Sequence, residues 1–124
     1  MAGELVLIVD DDELNLKLLR DVLGVEGYRT VEARTASAAL ALADQARPDV
    51  VLMDLGLPDL DGIEALRRLR AGTPGRIPAM AVTASAMLGE RERLMTAGFD
   101  DYLAKPIRVR ELTERVRRLC EVPG

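Results

Sequence analysis

The chain has no histidine and no tryptophan, a single cysteine, and only three aromatic residues, Tyr28, Phe99 and Tyr102, among 124. Each shortage removes a class of chemistry. Without histidine there are no imidazole metal ligands and no imidazole acid–base catalysis. One cysteine, Cys120, allows no internal disulfide, and its place in a C-terminal helical pattern suits an ordinary thiol in a reducing compartment. No run approaches the ~20 apolar residues of a membrane helix, and no charged segment leading into a long apolar core opens the chain. These features predict a soluble, cytoplasmic protein. Basic residues do not dominate either: 17 against 21 acidic side chains leave a net charge of −4. That balance argues against binding the phosphate backbone of nucleic acid or an anionic membrane. A site here must be built from carboxylates, hydroxyls and lysine, and partners should be proteins or small ions.

What is present is an aliphatic chain of one-domain length, residues 1–124, with nearly half its residues hydrophobic. Leu5 to Val9 is a continuous apolar run that empties into Asp10, Asp11, Asp12 and Glu13. Strands are expected there and at Tyr28 to Ala33, Asp49 to Met53, Ile77 to Val82 and Tyr102 to Ala104. Helices are expected over Leu14 to Val25, Ala36 to Ala46, Asp61 to Ala71, Met87 to Ala97, and a last stretch whose inward stripe is Val109, Leu112, Val116 and Leu119. In the first helix Leu16, Leu19 and Leu23 suit the core, leaving Leu14 and Leu18 near the acidic loop as a docking patch or as extra core contact. Five alternations of strand and helix predict an α/β domain with a parallel sheet covered on both faces. Right-handed crossovers favour a doubly wound sheet of order 2-1-3-4-5, with the switch point between strands 1 and 3.

Chemistry in such a sheet sits outside the carboxyl ends of the strands. Val50 to Met53 delivers Asp54 to that edge, and Leu55 to Pro58 then force a turn before Asp61 and Gly62 open a helix. A lone Asp at a strand end is usually a turn residue. Here the neighbouring ends carry Asp10 and Asp11, Thr83 and Lys105. Three carboxylates without histidine or cysteine make a hard, all-oxygen site suited to Mg2+. Lys105 would supply part of the balancing charge. It is one of only two lysines, with Lys17, in a chain that otherwise uses 15 arginines, although a plain surface role is also open to it. A cation, a lysine and a carboxylate oxygen that attacks in line are the parts of phosphoryl transfer, with Thr83 as a hydroxyl donor and the small Ala84 leaving room. The Lys105–Pro106 bond, in a turn after a strand, is a candidate for the cis form.

Val9-Asp10-Asp11, Met53-Asp54, Leu57-Pro58 with Asp61-Gly62, Val82-Thr83-Ala84 and Lys105-Pro106 resemble, in order and spacing, the receiver domains of two-component response regulators. The resemblance runs from Leu5 to Leu119 and implies a CheY-like, flavodoxin-type (βα)5 fold. Glu13-Leu14-Asn15 and Ala84-Ser85-Ala86-Met87 are similar to stand-alone cell-cycle regulators and to receivers of hybrid histidine kinases. The resemblance implies that Asp54 accepts a phosphoryl group from a phosphohistidine on a histidine kinase or histidine phosphotransfer protein. It implies Mg2+ held by Asp11, Asp54 and the backbone carbonyl of Gly56, with Asp10 placing a metal-bound water and with Thr83 and Lys105 on the phosphoryl oxygens. Thr83 and Tyr102 would then switch the face of helix 4, strand 5 and helix 5 toward a downstream protein target, in a monomer or weak homodimer. Without the resemblance, Tyr102 reads as a half-buried strand residue.

Two departures from the family pattern matter. Gly56 stands where a larger side chain is usual, and Ser85 is a weak substitute two residues beyond Thr83, so the phospho-form should hydrolyse with little side-chain help. A rival reading is a phosphohydrolase of the haloacid dehalogenase type, with Asp10 as nucleophile and Asp12 as acid. Glu13 and Leu14 replace its usual small residues, and no cap segment exists to shield a substrate. A receiver-like module that works without phosphorylation is a third reading, and the complete set of acids with Thr83 and Lys105 speaks against it.

Overall fold

The computed structural model describes residues 3–72, 76–84 and 88–121. Five strands, β1 (Leu5–Val9), β2 (Arg29–Ala33), β3 (Val50–Asp54), β4 (Ala79–Thr83) and β5 (Asp101–Ala104), alternate with helices α1 (Glu13–Val25), α2 (Ala36–Ala46), α3 (Gly62–Gly72), α4 (Glu90–Ala97) and α5 (Val109–Glu121). All the strand pairs are parallel, in the order β2-β1-β3-β4-β5. This is the expected doubly wound sheet. The inner strands are apolar without interruption because both faces are covered.

Alternate residues feed two cores. Leu7, Val9, Val51, Met53, Ala79 and Ala81 pack under α2, α3 and α4. Val6, Ile8, Val50, Leu52, Met80 and Val82 pack under α1 and α5. The alanine face of α2, Ala36, Ala39 and Ala43, lets that helix lie close to the sheet. Gly62 opens α3 hard against the end of β3. A Cβ there would lie 2.6 Å from Leu55 Cδ2 and 3.3 Å from the Asp54 carbonyl oxygen.

The element boundaries depart from expectation where a side chain takes a backbone's place. Asp12 caps α1 by accepting from the Leu14 N–H at 2.9 Å, so the helix starts at Glu13. Asp61 likewise stands before α3 as its cap, accepting from Ile63 N–H at 2.7 Å. Asp49 precedes β3 and brackets the start of β1 instead: it accepts from Leu5 N–H through its carboxylate and donates its own N–H to Leu5 O, both at 2.8 Å. Tyr28 is buried ahead of β2, its N–H turned back to Leu23 O. The fourth strand is shifted toward its carboxyl end, with Thr83 inside the ladder, because Thr83 O accepts from Lys105 N–H at 2.8 Å. The fourth helix begins at Glu90 behind Gly89, whose φ of 87° is left-handed, and Met87 lies outside the described residues. Gly98 ends that helix as expected, with φ 115°.

One core assignment needs correction. Val109 is 50% exposed, because the first turn of α5 faces an open groove shared with Val22 and Val25 of α1. The inward stripe is Leu112, Val116 and Leu119. On the outer side Arg115 pairs with Glu111 at 3.1 Å and with Asp101 of β5 at 2.6 Å, and Arg118 pairs more loosely with Glu114 at 4.0 Å. In urea denaturation, Leu112→Ala should lower stability by about 2–5 kcal/mol. Val109→Ala should stay within about 0.5 kcal/mol.

Candidate active site

The strand register decides which side chains meet. Val9 is level with Met53, so the next residues along, Asp10 and Asp54, emerge side by side at the switch point. Asp54 is level with Val82, and Thr83 with Ala104, so Thr83 and then Lys105 follow as a staircase across the same edge. The site is a property of the sheet's stagger.

Asp10 and Asp54 are almost wholly buried, at 1% and 4% exposure, while Asp11 is exposed beside them. One carboxylate oxygen of each of Asp10, Asp11 and Asp54 lies within 4.8 Å of the other two. Asp10 accepts from the Asp12 N–H at 2.9 Å and from Asn15 Nδ2 at 3.3 Å. Asp54 accepts from the Gly56 N–H through Oδ1 at 3.0 Å. Lys105 Nζ stands between the two, 3.5 Å from Asp54 Oδ2 and 3.7 Å from Asp10 Oδ2. Thr83 is buried at the end of β4. The Lys105–Pro106 bond is cis, as expected.

Burial pushes the Asp10 carboxyl above its usual range, and the charge on Asp54 pushes the same way. The Asp12 N–H and Lys105 offset only part of this. The Lys105 ammonium therefore faces Asp10 and Asp54 at distances longer than a usual direct hydrogen bond, with Asp11 as a third carboxylate beside them. The donor set is hard and all-oxygen, and it already spans little more than the ~4.2 Å across an octahedral Mg2+ shell. A divalent ion fits both the geometry and the charge deficit.

Gly56 is exposed beside Asp54, and among the described residues a Cβ added there would touch Asp54 Oδ1, at 3.7 Å, in ordinary van der Waals contact. Tyr102 is half-buried on β5 and packs against the core under α2, α3 and α4. Ser85 lies outside the described residues. Leu14 is 76% exposed next to the acidic loop, while Leu18 is half-buried. Asp12, the acid of the hydrolase reading, has turned its carboxylate to the α1 cap, and that reading's nucleophile, Asp10, is the most deeply buried of the acids. Cys120 is half-buried, and burial raises its thiol above the ordinary range, away from reactivity. Sequence reasoning gave no site role to Asn15. In the sequence it stood within Glu13-Leu14-Asn15, five residues past Asp10, with nothing to mark Asp10 as its partner.

A sequence model of the response regulator receiver domain matches residues 6–117, and the chain belongs to that family. Among its relatives are the polar-differentiation response regulators DivK of Brucella anthropi and Brucella ovis. They are 43% and 42% identical over 113 residues, covering 90% of this chain and 92% of each relative. The receiver domain of a sensor histidine kinase from Pseudomonas aeruginosa PAO1, solved with a magnesium ion coordinated in the active site cleft, superposes with a TM-score of 0.87. It is 38% identical, covering 98% of this chain and all of that one. A CheY-like receiver from Methanospirillum hungatei JF-1 gives 0.87 at 32% identity, covering 97% and 95%. The protein is thus a two-component signalling receiver, and no helix among its described residues is long and apolar enough to cross a membrane.

The raised Asp10 carboxyl has a consequence for stability. Its folded form holds a proton to higher pH than the unfolded chain does, so stability is lost as pH rises from the ordinary Asp range through the raised one. At neutral pH the ionised Asp10 is a net cost. Asp10→Asn should therefore raise the Tm of metal-free protein at neutral pH, and the gain should vanish in acid below the ordinary Asp range, as followed by thermal melts across pH.

Proposed function

We propose that Asp54 is the phosphoryl acceptor of a phosphorelay, charged in a Mg2+-dependent step from a phosphohistidine on a histidine kinase or histidine phosphotransfer protein. An Asp54 carboxylate oxygen attacks phosphorus, the P–N bond breaks, and its electron pair leaves on the imidazole. An acyl phosphate remains on Asp54. The observation that carries this reading is the position of Lys105 Nζ, 3.5 Å from Asp54 Oδ2, in a cluster of acids that a single ammonium cannot neutralise. Asp11, Asp54 and the Gly56 carbonyl would hold the cation, with Asp10 ordering a water beside it. When bound, Mg2+ supplies charge neutralisation for the transferring phosphoryl oxygens. Lys105 serves as a second point of positive charge for those oxygens, and the Thr83 hydroxyl as a donor to one of them.

The output is a protein contact. Thr83 drawn toward the phosphoryl group would let Tyr102 turn inward and reshape the surface of α4, β5 and α5, which a downstream target reads. Chemistry is confined to the chain's own aspartate, so the domain is a switch with no external substrate. A cytoplasmic protein acting through other proteins, with neither nucleic acid nor membrane as partner, fits the net negative charge.

Incubation with acetyl phosphate or a phosphoramidate and Mg2+ should place one phosphate on the chain by intact mass. Asp54→Asn should abolish it, and Lys105→Ala should slow labelling by about a hundredfold, the size of losing one group that stabilises developing charge. An Asp54→Asn protein that still turned over a generic phosphatase substrate would favour a nucleophile at Asp10. Because Gly56 can neither orient nor block a water, the purified phospho-form should persist for minutes or longer in Mg2+, followed by mass spectrometry over time. Loss of the label within seconds would contradict this.

A further inference from the structure

Asp59 stands outside the cluster of Asp10, Asp11 and Asp54 and is tied to a different part of the protein by three hydrogen bonds. Its Oδ1 accepts from the Ala36 N–H at 2.9 Å, and its Oδ2 accepts from the Ser37 N–H and the Ser37 hydroxyl, both at 3.1 Å. These are the first two amides of α2. The third, on Ala38, donates to Thr35 Oγ1 at 3.1 Å. The start of α2 is thus capped twice, once by its own neighbour and once by a loop 22 residues further along the chain. The same bonds hold the Asp59 carboxyl below its usual range, the Ala36 N–H first among them.

That loop joins Asp54 to α3. Its near end is fixed by the Leu55 N–H on Val82 O at 3.0 Å, its middle by the buried Leu57, and its far end by Asp61 as the cap of α3. Between these anchors sits Gly56, whose N–H meets Asp54 Oδ1. Gly56 is exposed and, as a glycine, has no side chain to hold it in place. We propose that Asp59 is a positioning residue, a staple that fastens the β3–α3 loop to the start of α2 and so holds Gly56 against the acceptor carboxylate. The purpose of the staple, to present the Gly56 carbonyl to a cation in an already ordered loop, rests on the phosphoryl-acceptor reading. Without the staple, the loop has to be ordered at the expense of binding free energy.

The test compares Asp59→Ala and Asp59→Asn with Thr35→Ala, which removes the other cap of the same helix without touching the loop. Mg2+ affinity is measured by calorimetry, stability without metal by urea denaturation, and acetyl phosphate labelling at saturating Mg2+. Asp59→Ala should raise the Kd for Mg2+ by about tenfold. Asp59→Asn, which keeps one acceptor oxygen, should fall between it and wild type. Labelling at saturating Mg2+ should return to near the wild-type rate. Thr35→Ala should lose comparable stability yet keep its Mg2+ affinity within about twofold. Unchanged affinity in Asp59→Ala, or equal weakening in Asp59→Ala and Thr35→Ala, would overturn the staple while leaving the acceptor reading intact. Wild-type protein that takes up no Mg2+ would overturn the acceptor reading, and the staple's purpose with it.

Discussion

Mutual repulsion among carboxylates is the constraint around which this domain is built. With oxygens within 4.8 Å of one another, two ionised acids at an effective dielectric of ~20 repel by about 3 kcal/mol. Two of the three are nearly excluded from water, and among the described residues Lys105 is the cation paired with them. The surroundings are arranged to hold the charges in place: the Asp12 N–H and Asn15 on Asp10, and the Gly56 N–H on Asp54. A site that is strained when empty of cation has a built-in reason to bind one, and a carboxylate relieved of neighbouring charge is a competent nucleophile toward a phosphoryl group.

The rest of the fold serves that edge. Two apolar cores clamp the sheet from either side, so the stagger of β1, β3, β4 and β5 is rigid, and with it the separations between Asp10, Asp54, Thr83 and Lys105. At the opposite end of the strands Arg70 performs a purely structural task. Its guanidinium donates to Ile77 O and Gly98 O and to Asp100 Oδ2, while Asp100 also accepts from Ala79 N–H at 2.9 Å. α3, β4 and the turn before β5 are thereby tied together away from the chemistry.

Much of this could be read from the sequence, and the reason is particular. Asp10, Asp54 and Lys105 each follow directly on an apolar run that can only be a buried strand, so their common edge follows from topology alone. Asn15 and Asp59 were invisible as partners, because their bonds join residues across helix turns and between loops, and a polar residue on a helix or in a turn carries no mark of what it touches. Val109 misled for a different reason: it keeps helical spacing with Leu112, Val116 and Leu119, but spacing does not show that the first turn overlooks a groove. The start of α3 moved by one residue because an Asp at position 61 can be the last of the loop or the first of the helix, and the cap at Asp12 brought Glu13 into α1.

The most direct test of the central claim is the thermal melting of wild-type protein and Asp11→Asn as MgCl2 is added, against NaCl at matched ionic strength. Relief of carboxylate repulsion by a bound divalent ion predicts a saturable rise in wild-type Tm with Mg2+, absent with Na+ and much reduced in Asp11→Asn. Equal shifts for the two salts, or an undiminished Mg2+ response in the variant, would mean that the acids are merely screened and that no cation site exists among them.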